Sequence, residues 1–369
     1  MKTIHILLFK ESKLHFLGLY YGYWNLFFYF KNALKKIGLE VKFFSKINDE
    51  FFSGDYLFLN SRYFKYKKNS LLLDEIKKIK NKNENLIWFD MRDSAGTTQF
   101  EVLPYVKKYV KKQYYVDKSI YFQNLYGGRL YTNYYHENNG IIDKEIYEQE
   151  KLDNKYINKL ILGWNLGVVL FFDFTKFSKL DYCLEFIKHK ILNKNSFEKS
   201  LTIDENLSFK NKKYNIISLM NTNFDRETVG YQRYTLKDKL KKKNYQNSLI
   251  GKRLNKKDYY NTMKNSRVSV GAYGWGEVCY REFEATRCGA TFTVPDMSNI
   301  ETWPNIYLKN ETYLPYSLDF SNLFETIEEL LNNKELRMKL IKNSQAIIKD
   351  VHSEIGKNYF LKKIQEIIS

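Results

Sequence analysis

The chain has 369 residues, enough for two domains of ordinary size with a core in each. Lys and Arg total 60 against 42 Asp and Glu, a formal charge of +18, so anionic partners are expected. The lysines are scattered, and no arginine-rich arm or recognised nucleic-acid motif is present. This argues against a nucleic-acid partner and leaves phosphorylated substrates or an anionic membrane surface. No apolar run reaches the roughly 18 residues of a membrane span.

The cysteines and histidines predict neither a disulfide framework nor a metal site. Cys183, Cys279 and Cys288 fit no ligand spacing, which indicates reduced thiols in a cytosolic protein. The histidines are dispersed, and no Asp-x-Asp lies in a convincing loop. We therefore expect no metal and no other cofactor.

In the first half, predicted strands and helices alternate, as in a Rossmann-like α/β domain. The apolar run near the N-terminus is too short for a signal peptide and is taken as the first strand. Strands are expected over residues 4–9, 41–44, 56–59 and 86–89, and helices over 25–37 and 71–79.

A polar loop, residues 90–99, follows the fourth strand, where open α/β sheets bind ligands. Asp90 and Asp93 are candidate general bases for an acceptor hydroxyl, and Asp93 is preferred because it lies beyond the strand. Arg92 and Thr97 are candidate acceptor-binding residues in the same loop. The alternative is that Asp93 or Ser94 caps a following helix.

An aromatic region over residues 105–135 follows. Tyr126 and Arg129 are candidate acceptor-binding residues, since tyrosines suit sugar stacking, although they equally suit a half-buried surface. His136, in a loop-like polar setting, is a second catalytic candidate, and the alternative is a structural histidine. A helix over 180–191 is expected to link the two domains.

The second half opens with a clear strand over residues 214–219. The loop after it contains Arg226 and Arg233, ahead of a helix predicted over 236–242. Guanidinium groups pair well with phosphate oxygens, so both arginines are candidates for binding a diphosphate. Ordinary exposed arginines are the alternative.

Residues 267–296 read as a strand, a glycine turn, a helix and a second strand. Gly274 and Gly276 mark a turn that a ligand could approach closely. Arg281 and Glu284 are three residues apart on the predicted helix, so they share a face near its N-terminus. An arginine there suits a phosphate and a carboxylate suits sugar hydroxyls. A surface ion pair is the alternative.

The run GWGEVCYREFEATRCGA resembles the donor-binding signature of glycosyltransferases of the two-domain GT-B type. Glu284, Ala285, Cys288 and Gly289 match the end of that signature, and the YR.FEA form is closer to exostosin-like and bacterial capsule or lipopolysaccharide branches. Many retaining members carry a second glutamate eight positions before the one that matches Glu284, where this chain has Gly276. The motif therefore does not support a retaining mechanism.

The resemblance implies a GT-B architecture, with two Rossmann-like domains facing across a cleft. We expect an acceptor-binding domain over residues 1–195 and a donor-binding domain over 196–350, with a helix in 351–369 that crosses back to the first domain. The implied donor site contains arginines, the glycine turn and residues of the helix after it, namely Arg226, Arg233, Gly274, Gly276, Glu277, Tyr280, Arg281 and Glu284.

The implied activity is transfer of a sugar from a nucleotide-sugar to a glycan or lipid-linked acceptor, without a metal, in bacterial surface polysaccharide synthesis. The expected location is cytoplasmic, with or without peripheral contact to the anionic membrane face. The alternatives are another phosphate-ligand enzyme on the same scaffold, such as a transferase of a phosphorylated group or a sugar-nucleotide epimerase, and a non-enzymatic binding module.

Overall fold

The computed structural model describes residues 1–9, 22–65, 69–147, 150–170, 206–251 and 253–369, with the single positions 180, 184, 187 and 203. Most of the predicted linking helix over 180–191, and the predicted boundary after residue 195, lie outside these residues. The described chain contains two parallel sheets flanked by helices, so the predicted α/β class is confirmed.

The first sheet has the strand order β2-β1-β3-β4-β5-β7, and all of its neighbours are parallel. The strands of this half are β1 (Lys2–Leu7), β2 (Leu39–Phe44), β3 (Tyr56–Asn60), β4 (Leu86–Asp90), β5 (Lys108–Lys111), β6 (Gln113–Tyr115) and β7 (Leu160–Leu162). β4 is buried along its whole length, as expected for a central parallel strand, and ends at Asp90. The polar loop after Asp90 therefore lies at the carboxyl edge of the sheet.

The described helices of this half are α1 (Asn25–Tyr29), α2 (Lys31–Lys36), α3 (Asp49–Phe52), α4 (Asn69–Lys82) and α5 (Leu130–Asn139). The single helix predicted over 25–37 is divided at Phe30, whose ring is buried against Phe360 at 5.8 Å. The sequence predicts a loop-like setting for His136, but this residue lies in α5, which is capped by Gly140 with φ of 65°. Tyr131 and Tyr135 bury one face of that helix, and this packing outweighs its polar composition.

The second sheet has the order β11-β10-β8-β9 and is also parallel throughout. Its strands are β8 (Tyr214–Leu219), β9 (Ser248–Gly251), β10 (Ser266–Val270) and β11 (Thr291–Thr293), and a further strand is β12 (Ile300–Thr302). The helices of this half are α6 (Asn206–Phe209), α7 (Glu227–Lys243), α8 (Lys256–Lys264), α9 (Tyr280–Arg287), α10 (Leu323–Asn332), α11 (Lys334–Asp350) and α12 (Glu354–Ile368).

α7 begins at Glu227, well before the predicted start, so Arg233 lies in a helix and not in a loop. The cause is a cap from the other half of the molecule. Asp143 accepts hydrogen bonds from the Thr228 amide at 2.7 Å and from its hydroxyl at 2.9 Å, so it pairs one of the donors that a helix N-terminus leaves unsatisfied. A partner so distant in sequence cannot be recognised from a local pattern.

Two further contacts join the halves. β6 and β12 pair antiparallel as a two-stranded sheet, with Tyr115 opposite Ile300. The last helix, α12, packs on helices of the first half, where Phe360 lies edge-on to Phe27 of α1 at 5.1 Å. The two sheets therefore form one body with a cleft between them.

Phe360→Ala is expected to lower the free energy of unfolding by about 3–5 kcal/mol, because its fully buried ring packs against Phe27, Phe30 and Trp164. Chemical denaturation measures this loss. Ile355→Ala, on the same helix at a side chain that is 66% exposed, is the matched control and should change stability by less than about 0.5 kcal/mol. Equal losses in the two variants would contradict the packing described for α12.

Candidate active site

A cavity of about 720 Å³, here called the main cavity, lies in the cleft where strand ends of the two sheets meet. The first half contributes residues that follow β1, β3, β4 and β5, and the second half contributes α7 and the loop between β10 and α9. The charged side chains in its lining are Arg62, Asp93, Lys112 and Arg233, and the rings include Tyr23, Trp24, Phe224, Trp275 and Tyr280. Cations and aromatic rings around one polar cleft suit a phosphorylated ligand with sugar or base rings.

Asp93 is the carboxylate of the main cavity. Its side chain is 47% exposed and accepts a hydrogen bond from Lys112 Nζ at 2.8 Å, with Arg62 Nη2 at 3.7 Å. Burial alone would raise the pKa of Asp93, but the charge and hydrogen bond of Lys112 and the charge of Arg62 outweigh it and lower the pKa. Asp93 is therefore ionised at neutral pH and can accept a proton.

Arg233 reaches the cavity from α7. Its Nε donates to the Tyr273 carbonyl oxygen at 2.5 Å and its Nη1 to the Asn221 carbonyl oxygen at 3.2 Å, while the guanidinium lies 4.9 Å from the Phe224 ring centre. No carboxylate of the described residues lies within ion-pair distance of it. Burial, and then the charge of Arg281, lower the pKa of Arg233, which is the direction expected of a cation that lacks an anion.

The N-terminus of α9 opens at the same cavity. Cys279 is its N-cap and Tyr280 its first residue, and both line the cavity. The Cys279 amide donates to Glu282 Oε2 at 3.1 Å. Burial raises the pKa of the Cys279 thiol to about 11, so the thiol is neutral at physiological pH. The positive end of the helix dipole adds to the attraction for an anion.

A second cavity of about 400 Å³, the side cavity, adjoins the main cavity on the first half of the molecule. Both cavities are lined by Arg62, Met91, Asp93 and Trp275. The predicted acceptor residues Arg92, Thr97 and Arg129 line the side cavity only. Asp93 therefore lies between the two cavities, in contact with both of them.

Hydrogen bonds hold the glycine turn against the first half of the molecule. Glu277 is 5% exposed and accepts hydrogen bonds from Ser94 Oγ at 2.8 Å, the Ala95 amide at 3.0 Å and Gln113 Nε2 at 2.9 Å. A Cβ at Gly276 would overlap the Asp93 carbonyl oxygen, so only glycine allows this approach. We call this set of contacts the turn clasp.

Two predicted donor contacts in this turn are already occupied in the structure. The carboxylate of Glu277 is engaged in the turn clasp and does not line either cavity. The Gly274 amide donates to the Gly276 carbonyl oxygen at 3.0 Å, so it is not available to a ligand.

Arg281 and Glu284 lie on α9, as expected, but neither lines the main cavity. Arg281 is half-buried near the end of β10, where Nη2 donates to the Ala272 carbonyl oxygen and to Glu282 Oε1, each at 2.9 Å. The oxygens of Glu284 accept from the hydroxyls of Tyr259 and Tyr260 at 2.8 and 2.5 Å. They do not form the surface ion pair that was the alternative.

Arg226, Tyr126 and His136 are also placed away from both cavity linings. Arg226 bridges the halves through Asp143 at 3.0 Å. The rings of Tyr126 and His136 stack at 3.8 Å, and His136 Nδ1 lies 2.9 Å from the Ile141 carbonyl oxygen. These contacts agree with the alternative interpretation of His136, in which it is a structural histidine and not a catalytic one.

Asp90, the second candidate base, is fully buried. Its carboxylate pairs with Lys111 Nζ at 2.8 Å, and its Oδ1 accepts a hydrogen bond from the Arg92 amide.

Sequence reasoning missed Arg62, Lys65 and Lys112, which line the two cavities. Arg62 comes just after β3 and Lys112 just after β5, so the rule that strand ends carry ligand groups would have found them.

Within the described ranges, no group of three or more His, Cys, Asp or Glu side chains could hold a metal ion. In the same residues, no helix is both long and apolar enough to cross a bilayer.

Glu277→Gln is expected to lower the free energy of unfolding by about 1–3 kcal/mol. The carboxylate oxygens of Glu277 accept three hydrogen bonds, and the NH2 group of glutamine could not accept any of them. The measurement is urea denaturation of the purified protein. Glu84→Gln, at an exposed turn, is the control and should stay within about 0.5 kcal/mol of the parent. If Glu277→Gln is as stable as this control, the turn clasp does not tie the halves together.

No protein-family model and no curated protein matches the chain. Among solved structures, a UDP-forming α,α-trehalose-phosphate synthase from Burkholderia xenovorans is 9% identical, with a TM-score of 0.47 and 100% of both chains covered. An α-glucosyltransferase in complex with UDP-glucose and DNA containing an abasic site is 10% identical, with a TM-score of 0.42, over 99% of this chain and 98% of that one.

A putative UDP-N-acetylglucosamine 2-epimerase from Listeria monocytogenes is 13% identical, with a TM-score of 0.41, over 99% of this chain and 96% of that one. These TM-scores lie below 0.5, so the residues of the site, and not these similarities, bear on the function. Two parallel α/β sheets with a shared cleft give the chain the GT-B type of architecture that its sequence implied.

Proposed function

We propose that the protein is a glycosyltransferase that moves a sugar from a nucleotide-sugar to an acceptor hydroxyl. The observation that carries the proposal is the position of Asp93 between two polar cavities, one of which also presents Arg233 and a helix N-terminus. Sugar transfer needs such an arrangement, because a base must act on the acceptor while cations and dipoles stabilise the departing diphosphate.

The donor would occupy the main cavity. Its diphosphate would lie by Arg233 and the N-terminus of α9, with Lys112 and Arg62 adding positive charge from the opposite wall. Since Arg233 now donates only to carbonyl oxygens, a phosphate would supply the anion that this guanidinium lacks. As the bond from the sugar to the diphosphate breaks, these cations would stabilise the charge that develops on the leaving group.

The acceptor hydroxyl would approach Asp93 from the side cavity. The lowered pKa of Asp93 keeps the carboxylate ionised, and the bond from Lys112 orients it. The hydroxyl becomes acidic as it attacks the anomeric carbon, and its proton would pass to Asp93 at that stage. In this scheme residues 1–195 bind the acceptor, 196–350 bind the donor and 351–369 return to the first domain.

The finer assignments rest on the motif resemblance. We propose a glycan or lipid-linked saccharide as acceptor, bacterial capsule or lipopolysaccharide synthesis as the setting, and the cytoplasm, with or without contact to the membrane face, as the location. We also propose that no metal is required, which a turnover assay with magnesium and with a chelator tests directly.

Incubation with nucleotide-sugars and acceptors distinguishes the proposed reaction from the alternatives. Free nucleoside diphosphate together with a new glycoside supports transfer. An isomerised nucleotide-sugar without an acceptor product would indicate an epimerase, and a phosphorylated product would indicate transfer of a phosphorylated group.

Asp93→Asn is expected to lower turnover by about 10²–10⁴-fold, because it removes the proton acceptor. Steady-state rates and donor affinity are measured together, and the donor affinity should change little. Asp74→Asn, at an exposed position of α4, is the control. Full turnover by Asp93→Asn contradicts the assignment of the base.

The pH dependence of kcat/KM gives an independent test of the same residue. Because the pKa of Asp93 is below its ordinary value of 3.8, the base is lost only when the pH falls below that value. The rate should therefore show no acid limb between about pH 5 and 7 from this group. A limb with a midpoint in that range would point to another base.

A further inference from the structure

The lining of the side cavity contains more cations than carboxylates. Its charged lining consists of Arg62, Lys65, Arg92 and Arg129, against Asp93 alone. Asp93 accepts a hydrogen bond from Lys112 and faces Arg62. Lys65, Arg92 and Arg129 line the side cavity and not the main one.

Arg129 is the most deeply placed of these cations, at 4% exposed. Its Nε donates to the Trp275 carbonyl oxygen at 3.1 Å and its Nη1 to the Gly127 carbonyl oxygen at 3.3 Å. No carboxylate of the described residues lies within ion-pair distance of it. Because buried charges in proteins are normally paired, this guanidinium indicates an anion that arrives with a ligand.

The same cavity holds polar atoms without partners. Thr97 Oγ1 and Gln99 Oε1 are buried and make no hydrogen bond, and Gln99 is only 7% exposed. The Tyr147 hydroxyl accepts from Arg92 Nη1 at 2.7 Å and keeps its own proton to donate. Buried polar atoms are nearly always paired, so a ligand with several hydroxyl groups would complete this site.

We infer that the side cavity binds an acceptor sugar that carries an anionic group, either a phosphate or a carboxylate. This inference rests on the proposed function. The anionic group pairs with Arg129, Arg92 and Lys65, while sugar hydroxyls bond to Thr97, Gln99 and Tyr147. This places a further hydroxyl of the same sugar towards Asp93, which the two cavities share.

The test measures binding of small probes by calorimetry, without turnover. Hexose 6-phosphates, hexuronic acids and the neutral hexoses are titrated separately into the full-length protein. We expect at least one anionic class to bind about tenfold or more tightly than its neutral counterpart, as charged hydrogen bonds imply. The class that binds shows whether the group is phosphate or carboxylate.

Variants distinguish the side cavity from the main one. Lys65→Gln, at an exposed side chain, and Arg129→Gln should each weaken anionic-sugar binding by about tenfold. Arg233→Gln should leave anionic-sugar binding unchanged and weaken binding of nucleoside diphosphates instead. Arg253→Gln, at an exposed arginine, is the matched control for charge and should change neither.

Equal binding of neutral and anionic sugars, or no binding of either anionic class at millimolar concentration, overturns the inference. Anionic-sugar binding that is lost in Arg233→Gln but kept in Lys65→Gln overturns it as well, since the anion would then lie in the main cavity. If anionic sugars bind as expected but no nucleoside diphosphate does, the anion site stands and its role as an acceptor site falls with the proposed function.

Discussion

A buried carboxylate, Glu277, is the contact on which the geometry of the cleft depends. It projects from the second half of the molecule into three donors of the first half, Ser94, Ala95 and Gln113. A buried carboxylate that lost these donors would be strongly destabilising, so the turn and the loop after β4 must keep their relative position. Gly276 allows the contact, because any side chain there would overlap the Asp93 backbone.

This constraint explains why the candidate base and the candidate phosphate site are close together. Asp93 belongs to the first half and the N-terminus of α9 to the second half. Each lies within a few residues of the turn clasp, and both line the main cavity. The contacts of Asp143 with Arg226 and Thr228 add a second tie and set the start of α7, which carries Arg233. The cavity lining is therefore assembled by long-range polar contacts, and not by either half alone.

The pattern of the sequence predicted much of the frame. The strand over 214–219 and the strand–turn–helix–strand unit from 267 were found within about two residues, because apolar runs and glycine turns are local signals. The position of Asp93 past the strand favours it over Asp90 as the base, and Asp93 does line the cleft. The partners of Arg226, Glu277 and Glu284 could not be predicted, because each lies far away in the chain or on another helix.

Binding of a nucleotide-sugar diphosphate in the cleft can be measured by the thermal shift of the protein with a panel of nucleoside diphosphates, with and without magnesium. A ligand at about a hundred times its dissociation constant stabilises the folded state by roughly 3 kcal/mol, a shift of a few degrees. We expect a shift with at least one diphosphate, independent of magnesium and reduced in Arg233→Gln. No shift with any diphosphate, or an undiminished shift in Arg233→Gln, would contradict such binding.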